Sequence, residues 1–226
     1  MNSIGKSQVV HLEMSRFTFP DGAGSAPILP DLAQGNHGHL HAPDEPLQPQ
    51  LVADPAFGYA LVFSGEDACV EIADPFPDAS RFTLTIWVRS LVTDQAYHAI
   101  AGFQDNSWEE PDRSWNQRKP SLWRRGENLH IDSYTPEGDR FTAEFPFFTG
   151  EFGGDVWVHV SWVKDGEEYR IYRNSELVHT MPAPPVVATT QYGDVYRIGR
   201  VDRNWTGQLP ICVFTIRRWM RRRCGR

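Results

Sequence analysis

The chain has 226 residues, of which 40% are hydrophobic and 12% aromatic, and its formal net charge is −7. This composition excludes wholesale disorder, and the length suits one all-β domain, which removes about 70% of its unfolded surface from water without disulfides or metal. The three cysteines, Cys69, Cys212 and Cys224, are too widely spaced for a CxxC zinc pair or a disulfide framework.

The N-terminus, residues 1–15, has one lysine and a single short apolar group. It lacks the apolar stretch of a signal peptide, and no run in the chain approaches the length of a membrane span. The sequence as written therefore predicts no transmembrane segment and a protein that stays where it is made, in the cytoplasm. Its compartment is otherwise unknown.

Short β-type segments bounded by turn residues follow one another along the chain. No stretch of the chain sustains the apolar period of a helix. Because parallel strands are usually connected by crossover helices, this absence predicts antiparallel sheets. Asp165-Gly166 predicts a hairpin turn, and Asn174-Ser175 begins the next reversal. The glycine- and proline-rich segments 22–55 and 181–185 are interpreted as loops. Examples of the predicted strand segments are residues 59–63, 69–72, 82–88, 156–163, 169–172, 196–198 and 209–216.

Several of these segments carry ordered motifs between about residue 12 and residue 216, and together they resemble the laminin-G-like (LamG) jelly rolls of the concanavalin A-like lectin/glucanase superfamily. The resemblance implies an all-β fold, a two-sheet antiparallel β-sandwich, with Trp87, Trp157 and Trp162 buried between its sheets. Members of this superfamily are often extracellular, whereas residues 1–15 of this chain do not resemble a signal peptide. The matching stretches are Gly35-Asn36-His37-Gly38, Ala60–Gly65, Val70–Ile72, Phe82–Val88, Trp157–Gly166, Arg170–Asn174, Tyr196–Arg200 and Trp205–Leu209.

The ending departs from the family pattern, because Pro210 removes a ladder hydrogen bond from any central strand. Six arginines then occupy residues 217–226, which contain no acid, so an acidic body carries a basic tail. We predict a LamG-like domain over residues 1–216 and an Arg-rich tail over 217–226. Nucleic acid or an anionic surface is expected as a partner only through Arg217 to Arg226, and a disordered terminus is the alternative.

No catalytic residue is predicted. A retaining glucanase of this superfamily would carry E-x-D-x-(x)-E on one strand, which places two carboxyl groups about 5 to 5.5 Å apart. The spacing of Glu71 and Asp74 is wrong, and the adjacent Glu109 and Glu110 diverge on a strand.

The sequence contains two groups of residues that are candidate cation sites. His37, His39 and His41 alternate, so an extended strand presents them on one face, but successive side chains lie about 7 Å apart, too far to share one zinc ion without a bend. Oxygen-rich loops at Asp105-Asn106, Asp112 and Asp202 admit calcium, although no EF-hand spacing fixes a site. We expect no required cofactor, keep Ca²⁺ as an open alternative and leave the metal ligands unknown.

The tryptophan-rich insertion, residues 104–128, is the best candidate binding site. Sugar rings present apolar C–H faces and hydroxyl edges, which suit flat aromatic groups interleaved with planar polar groups on a loop. Packing of the same tryptophans against the sheet is the alternative, and Trp123 is expected in a strand. The predicted ligand-binding residues are Trp108, Trp115, Trp123, Asp105, Asn106, Arg124 and the neighbouring Tyr134.

Three functional hypotheses follow. The first is a non-catalytic recognition module that binds glycan through the tryptophan-rich insertion. The second is a protein-interaction or scaffold domain that meets a protein partner through the basic tail or a sheet edge. The third, a glycoside hydrolase, is disfavoured because the paired-acid motif is missing.

Overall fold

The computed structural model describes residues 9–12, 28–30, 37–41, 49–63, 68–73, 80–90, 94–103, 120–187, 195–200, 207–209 and 214–217. These residues form seventeen β-strands and one short 3-10 helix, Gly150–Phe152. In chain order the strands are β1 (Val9–Leu12), β2 (Ile28–Leu29), β3 (Gly38–His41), β4 (Gln50–Asp54), β5 (Gly58–Phe63), β6 (Cys69–Ala73), β7 (Arg81–Val88), β8 (His98–Phe103), β9 (Ser121–Arg125), β10 (Asn128–Tyr134), β11 (Arg140–Pro146), β12 (Val158–Asp165), β13 (Glu168–Arg173), β14 (Glu176–Pro182), β15 (Val195–Ile198), β16 (Gly207–Leu209) and β17 (Phe214–Arg217).

Two large sheets build the sandwich. One has six strands in the order β1-β17-β7-β12-β13-β14, the other has eight in the order β11-β10-β9-β8-β15-β6-β3-β2, and a small sheet has the order β16-β5-β4. Every strand pair in the described ladders is antiparallel. The predicted two-sheet antiparallel sandwich is confirmed.

One hydrophobic core lies between the two large sheets. Its alternating residues come from both, for example Leu84 and Val160 on the six-stranded sheet and Leu122 and Ile131 on the eight-stranded sheet. Period-two alternation drives this arrangement, since successive side chains of a strand point to opposite faces. The eight-stranded sheet therefore has an inner apolar face and an outer face with a different composition.

The two predicted hairpin reversals are present. Gly166 has φ 64° in the turn between β12 and β13. Asn174 and Ser175, between β13 and β14, have φ 47° and 75°, the pair of positive angles that a two-residue type I′ turn requires. These turns bring β12, β13 and β14 side by side in chain order.

The predicted final strand, residues 209–216, divides into two elements. Leu209 ends β16, which pairs with β5 in the small sheet, whereas Phe214 begins β17, which pairs with β1 and β7. Pro210, which has no N–H to donate to a ladder, follows Leu209 in the sequence and lies outside the described residues. β17 ends at Arg217, the first residue of the predicted tail, and residues 218–226 lie outside the described residues.

The tryptophans of the motifs differ in position from the expectation. Trp162 is fully buried in the core, but Trp87 and Trp157 are half-buried outside it. Trp87 shares the outer face of the six-stranded sheet with Thr83, Thr85 and His159. The expectation that all three lie between the sheets was therefore wrong for Trp87 and Trp157, because apolar character alone does not tell the two faces of a strand apart.

A satellite aromatic cluster forms on that outer face. Phe57, in the turn between β4 and β5, packs against the rings of Trp87 and Trp157 at centroid distances of 5.2 and 5.4 Å. Asp54 accepts hydrogen bonds from the backbone of Ala56 and from Nε1 of Trp157, the latter at 3.2 Å. These contacts fasten the β4–β5 hairpin to the six-stranded sheet.

No helix in the described ranges is long and apolar enough to cross a membrane.

Candidate functional site

The outer face of the eight-stranded sheet is polar and aromatic where β8, β9, β10 and β11 lie side by side. In β10 the side chains of Leu129 and Ile131 enter the core, so His130 and Asp132 point outward. Cross-strand pairing places Trp123 beside His130, and Glu144 on the other side of it. We call this surface, formed by the outward residues of β8 to β11, the outer face.

Three rings form an edge-to-face group on the outer face. The imidazole of His130 lies between Tyr97 and Trp123, with ring centroids 5.3 Å from each and interplanar angles of 79° and 67°. Ala99 packs against Trp123 in the same cluster. Such arrangements are a favoured geometry of aromatic pairs, so this group gives the face a rigid base.

Two carboxylates of the outer face are held by arginines. Asp132 is fully buried and accepts a two-pronged pair of hydrogen bonds from Arg140, at 3.0 and 2.9 Å. Glu144 accepts hydrogen bonds from the side chains of Asn128 at 3.0 Å, Tyr97 at 3.2 Å and Arg125 at 3.4 Å. Bidentate arginine–carboxylate pairs fix geometry as well as charge, which orders this end of β10 and β11.

A third acid–arginine pair lies further along the same sheet. Arg197 of β15 donates from Nε to Glu71 of β6 at 2.7 Å, and its Nη2 lies 2.6 Å from the same carboxylate oxygen. The remaining nitrogen, Nη1, is buried and has no hydrogen-bond partner, and the same holds for the hydroxyl of Ser121 in β9. Nε1 of Trp162, inside the core, is likewise buried without a hydrogen-bond partner, so a missing partner does not by itself mark a ligand site.

The ionisation of the outer face follows from its burial and its partners. Burial lowers the pKa of His130, with the charges of Asp132 and Glu144 opposing that effect, so the imidazole is neutral at neutral pH. Burial raises the pKa of Glu144, but hydrogen bonds from Asn128 and Tyr97 and the charge of Arg125 outweigh it and lower the pKa overall. Glu144 is therefore a carboxylate at neutral pH.

This arrangement does not favour acid catalysis by Glu144. A glycosidase general acid needs a raised pKa, and the pKa of Glu144 is lowered. Asp132 and Glu144 occupy diagonal positions on neighbouring strands, since Asp132 pairs with Thr142, and each is held by an arginine.

The predicted site residues fall into three groups. Trp123 and Tyr134 lie on the outer face, 2% and 4% exposed. Arg124 points the other way, on the side of Leu122 and Leu129, with its guanidinium over the ring of Phe148 at 4.5 Å. Trp108, Trp115, Asp105 and Asn106 lie outside the described residues.

The placement of Arg124 favours a structural role. Its Nε donates to the carbonyl of Gly126 at 2.8 Å, while Nη1 and Nη2 donate to the carbonyls of Ser90 at 3.4 Å and Gly153 at 3.2 Å. Burial lowers its pKa. The guanidinium thus joins three chain segments inside the domain and is not presented to a ligand on the outer face.

The residues predicted as candidate zinc and calcium ligands lie partly within and partly outside the described ranges. His37, His39 and His41 are exposed on one side of β3, as their alternation predicts. Across the described ranges no group of three or more His, Cys, Asp or Glu side chains is arranged to hold a metal ion. Asp105, Asn106, Asp112 and Asp202 lie outside those ranges, so calcium binding stays a prediction.

Several outward residues of the eight-stranded sheet were missed from the sequence, namely Ser121, Asp132, Arg140 and Glu144 on the outer face and Arg197 in β15. The available signal was polar alternation: His130, Asp132 and Tyr134 alternate with Leu129, Ile131 and Ser133, and Arg140, Thr142 and Glu144 alternate in the next segment. Two such segments separated by a turn predict a hairpin with one polar face. Which acid meets which arginine depends on register and was not predictable.

The fold and this face define a class, the two-sheet jelly-roll sandwich with a polar and aromatic outer sheet surface. A family model described as the concanavalin A-like lectin/glucanases superfamily matches residues 64–210, more than half of the chain. The chain belongs to this superfamily, and the resemblance expected from its motifs is confirmed.

Solved structures with the same fold include binding domains of clostridial proteins. The botulinum neurotoxin serotype D ligand-binding domain in complex with N-acetylneuraminic acid has a TM-score of 0.63 and 14% identity, covering 93% of this chain and 47% of that one. The binding domain of botulinum neurotoxin DC with rat synaptotagmin II has a TM-score of 0.59 and 16% identity, covering 92% and 47%. The binding domain of Paraclostridial Mosquitocidal Protein 1 has a TM-score of 0.63 and 13% identity, covering 92% and 48%.

This chain therefore spans about half the length of these chains. At such identities the likeness concerns the fold. No curated protein matches the sequence at a significant level.

Proposed function

We propose that this domain is a non-catalytic recognition module that binds carbohydrate at the outer face, together with the tryptophan-rich insertion. One observation carries the proposal. β8 ends at Phe103, β9 begins at Ser121, and these strands are neighbours in the eight-stranded sheet, so the segment with Trp108 and Trp115 leaves and re-enters the sheet at one end.

The outer face at that end has the residue types that sugars require. Ser121 pairs with Asp132, and Tyr134 pairs with Arg140 one step further toward the same end. The guanidinium of Arg140 lies 5.9 Å from the ring centroid of Tyr134, which combines a flat ring with a planar polar group. Aromatic faces bind the C–H surface of a sugar, while amides, carboxylates and guanidinium groups bind its hydroxyls.

Within this proposal the predicted residues take different roles. Trp108 and Trp115 contact the sugar rings, and Asp105 and Asn106 bind hydroxyl groups. Trp123 and Tyr134, both buried, form the base on which the site rests. Loops on a rigid sheet are a common place for binding residues, since the scaffold positions them without taking part.

The neighbouring structures support a binding role in general terms. One is described in complex with N-acetylneuraminic acid and another with rat synaptotagmin II, a sugar and a protein respectively. This chain covers only about half of each, so neither ligand is assigned to it. We expect binding to need no cofactor, and titrations with added Ca²⁺ and with a chelator test this.

A glycan array followed by calorimetry tests the proposal. The wild type should bind at least one glycan, and the double variant Trp108→Ala plus Trp115→Ala should lose at least about fivefold in affinity, since each stacked ring contributes about 0.5–1.5 kcal/mol. Tyr59→Ala removes a ring that is exposed in the small sheet and serves as the matched control. Unchanged affinity in the double variant removes the proposed site.

A protein partner at a sheet edge is the second candidate function. β14 ends the six-stranded sheet, and Leu177 in it is 53% exposed. An edge strand offers unpaired N–H and C=O groups to another chain. Both alternatives can be tested by a pulldown of the protein partner. If the partner binds the β14 edge, Leu177→Lys should abolish its capture. If the partner binds the basic tail, deletion of residues 218–226 should abolish its capture.

A further inference from the structure

β11 is a long edge strand of the eight-stranded sheet. In the described ladders it pairs with β10 on one side and with no strand on the other. It has seven residues, whereas β2, at the opposite edge of the same sheet, has two. A long edge strand presents a row of N–H and C=O groups to other chains, and natural proteins usually shorten or block such edges. β11 is therefore a surface to which a further strand can add.

The hydrogen bonds of the β10–β11 hairpin determine which backbone groups of β11 face outward. The N–H of Thr135 donates to the carbonyl of Asp139 at 2.9 Å, so the next pair, Tyr134 and Arg140, is not hydrogen-bonded. Hydrogen-bonded and non-hydrogen-bonded pairs then alternate along the hairpin. The residues that direct their N–H and C=O groups away from β10 are Arg140, Thr142 and Glu144. Pro146 follows in the same alternation, and its missing N–H ends the row of free donors.

The side chains of β11 are complementary to those of a second, antiparallel copy of the same strand. When Thr142 lies opposite Thr142 of the other copy, Arg140 of each copy faces Glu144 of the other. Opposite charges across a strand pair stabilise it, and a two-fold axis repeats the contact. In the same register Phe141 of each copy faces Ala143 of the other, a large side chain against a small one. The positions with outward backbone groups therefore meet one another, as a hydrogen-bonded ladder requires.

Both charged side chains of β11 are accessible to a second copy. Nε and Nη2 of Arg140 donate to Asp132, but the side chain of Arg140 remains 46% exposed. The side chain of Glu144 is 25% exposed. Phe141 and Ala143 pack against the core and are only partly buried. Pairing of two β11 strands removes part of this apolar surface from water, which favours association.

β14, the long edge strand of the six-stranded sheet, lacks this complementarity. Its pairing with β13 shifts register between Ile171 and Tyr172, and such irregularities hinder the addition of a further strand. Glu176 has no lysine or arginine within β14 that could face it in a second copy. The comparison of the two edges therefore favours β11 for self-association.

We propose that two copies of this chain associate through β11, antiparallel about a two-fold axis at Thr142, and join their eight-stranded sheets into one continuous sheet. Backbone hydrogen bonds and the apolar contact hold the strands together, and the two pairs of Arg140 with Glu144 set the register, since exposed ion pairs add little affinity. Edge pairing leaves the faces of a sheet uncovered, so the dimer presents two outer faces side by side. This dimer goes beyond the proposed function and does not depend on glycan binding.

Sedimentation equilibrium from about 1 to about 200 μM tests the dimer, because a small interface dissociates within such a range. The wild type should reach the mass of two chains. Thr142→Asp places two carboxylates opposite each other on the axis and should raise the dissociation constant at least about fivefold. Thr180→Asp, at an exposed position of β14, is the matched control and should dimerise as the wild type does.

Three results of the sedimentation experiment overturn the proposal. The first is a wild type that stays monomeric at every concentration. The second is a Thr142→Asp variant that dimerises as tightly as the wild type, which would place the interface elsewhere. The third is dissociation caused by Thr180→Asp, which would place the interface at β14.

A cysteine crosslink tests the same register without depending on the stability of Thr142→Asp. The Cα atoms of a hydrogen-bonded antiparallel pair lie about 5.5 Å apart, within the range that a disulfide spans. In a chain that also carries Cys212→Ser and Cys224→Ser, Thr142→Cys should form a disulfide-linked dimer under mild oxidation, and Thr180→Cys should not. Absence of the linked dimer in Thr142→Cys, or an equal yield in Thr180→Cys, contradicts the proposed pairing.

Discussion

At the scale of single residues, Arg124 links three segments of the chain through backbone carbonyls. Its donors reach Gly126, Ser90 and Gly153, and its guanidinium stacks over Phe148. A buried guanidinium without a carboxylate hydrogen-bond partner is stabilised by the carbonyl dipoles, and its removal leaves those carbonyls without donors.

Arg124→Met tests this role. We expect a loss of about 1–3 kcal/mol in the free energy of unfolding, because methionine fills part of the volume but donates no hydrogen bond. Urea denaturation measures it. Arg125→Met is the neighbouring control and should change stability little, since that side chain is 39% exposed. Wild-type stability with lost glycan binding would instead make Arg124 a ligand residue.

The orientation of Trp123 and Arg124 can be predicted only in part from the sequence. Neighbouring residues of a strand point to opposite faces, so the sequence predicts that only one of the two reaches the outer face. That Trp123 is the outward one depends on Leu122 entering the core, which the apolar run Leu122-Trp123 does not decide. The register of β9 against β10 makes that choice.

At the scale of elements, the hairpin of β13 and β14 contains a local conflict. Asn174 and Ser175 have φ 47° and 75°, and both lie in the left-handed region. Asparagine tolerates this region better than serine, and a non-glycine residue there costs roughly 1–2 kcal/mol. The tight turn is retained because the two strands pair on either side of it.

Ser175→Gly should therefore stabilise the domain by up to about 1 kcal/mol, since glycine adopts the positive φ without strain and completes an Asn-Gly type I′ turn. Differential scanning calorimetry measures the change in Tm. Ser161→Gly, within β12, is the matched control and should destabilise, because glycine weakens a strand interior. A destabilised Ser175→Gly variant contradicts this account of the turn.

The strands predicted best are those with strong apolar alternation. Residues 82–88 match β7, and residues 59–63 and 69–72 match β5 and β6 within a residue or two. The examples named from the sequence do not include β10 and β11, because their outward positions are polar and only the alternation of polar and apolar residues indicates strands there. The exchange of sheets between β16 and β17 is a tertiary effect that the sequence pattern does not contain.

At the scale of the whole molecule, three histidines in different parts of the sandwich share one electrostatic property. Burial lowers the pKa of His130 on the outer face, of His159 beside Trp87, and of His179, which stacks on Phe145 at 4.1 Å. The folded state therefore binds protons less readily at these sites than the unfolded chain, whose histidines have pKa values near about 6.5.

The free energy of unfolding should decrease as the pH falls from about 7.5 to about 5.5, since the unfolded state takes up more protons in that interval. Stability from these groups is present above the unfolded pKa and is lost as the pH falls through the folded pKa. Thermal unfolding across this range measures the slope. His159→Gln should flatten it, while His39→Gln, at an exposed position, should not. A pH-independent Tm contradicts the assignment.

Two aromatic surfaces in the described part of the chain offer the clearest choice about where a ligand binds. The outer face holds Tyr97, Trp123 and His130, while the six-stranded sheet carries the satellite cluster of Phe57, Trp87 and Trp157. The β4–β5 turn already packs on the satellite cluster, and Asp54 holds it there. Under the proposed function, that cluster serves stability and the outer face serves binding.

Hydrogen–deuterium exchange with and without the arrayed glycan of highest affinity tests this part of the proposed function most directly. Our account predicts ligand-dependent protection in residues 98–134, which contain β8, β9, β10 and the tryptophan-rich insertion, with no change in residues 54–58 and 157–161. Protection confined to residues 54–58 and 157–161 would place the ligand on the six-stranded sheet and contradict the proposed site.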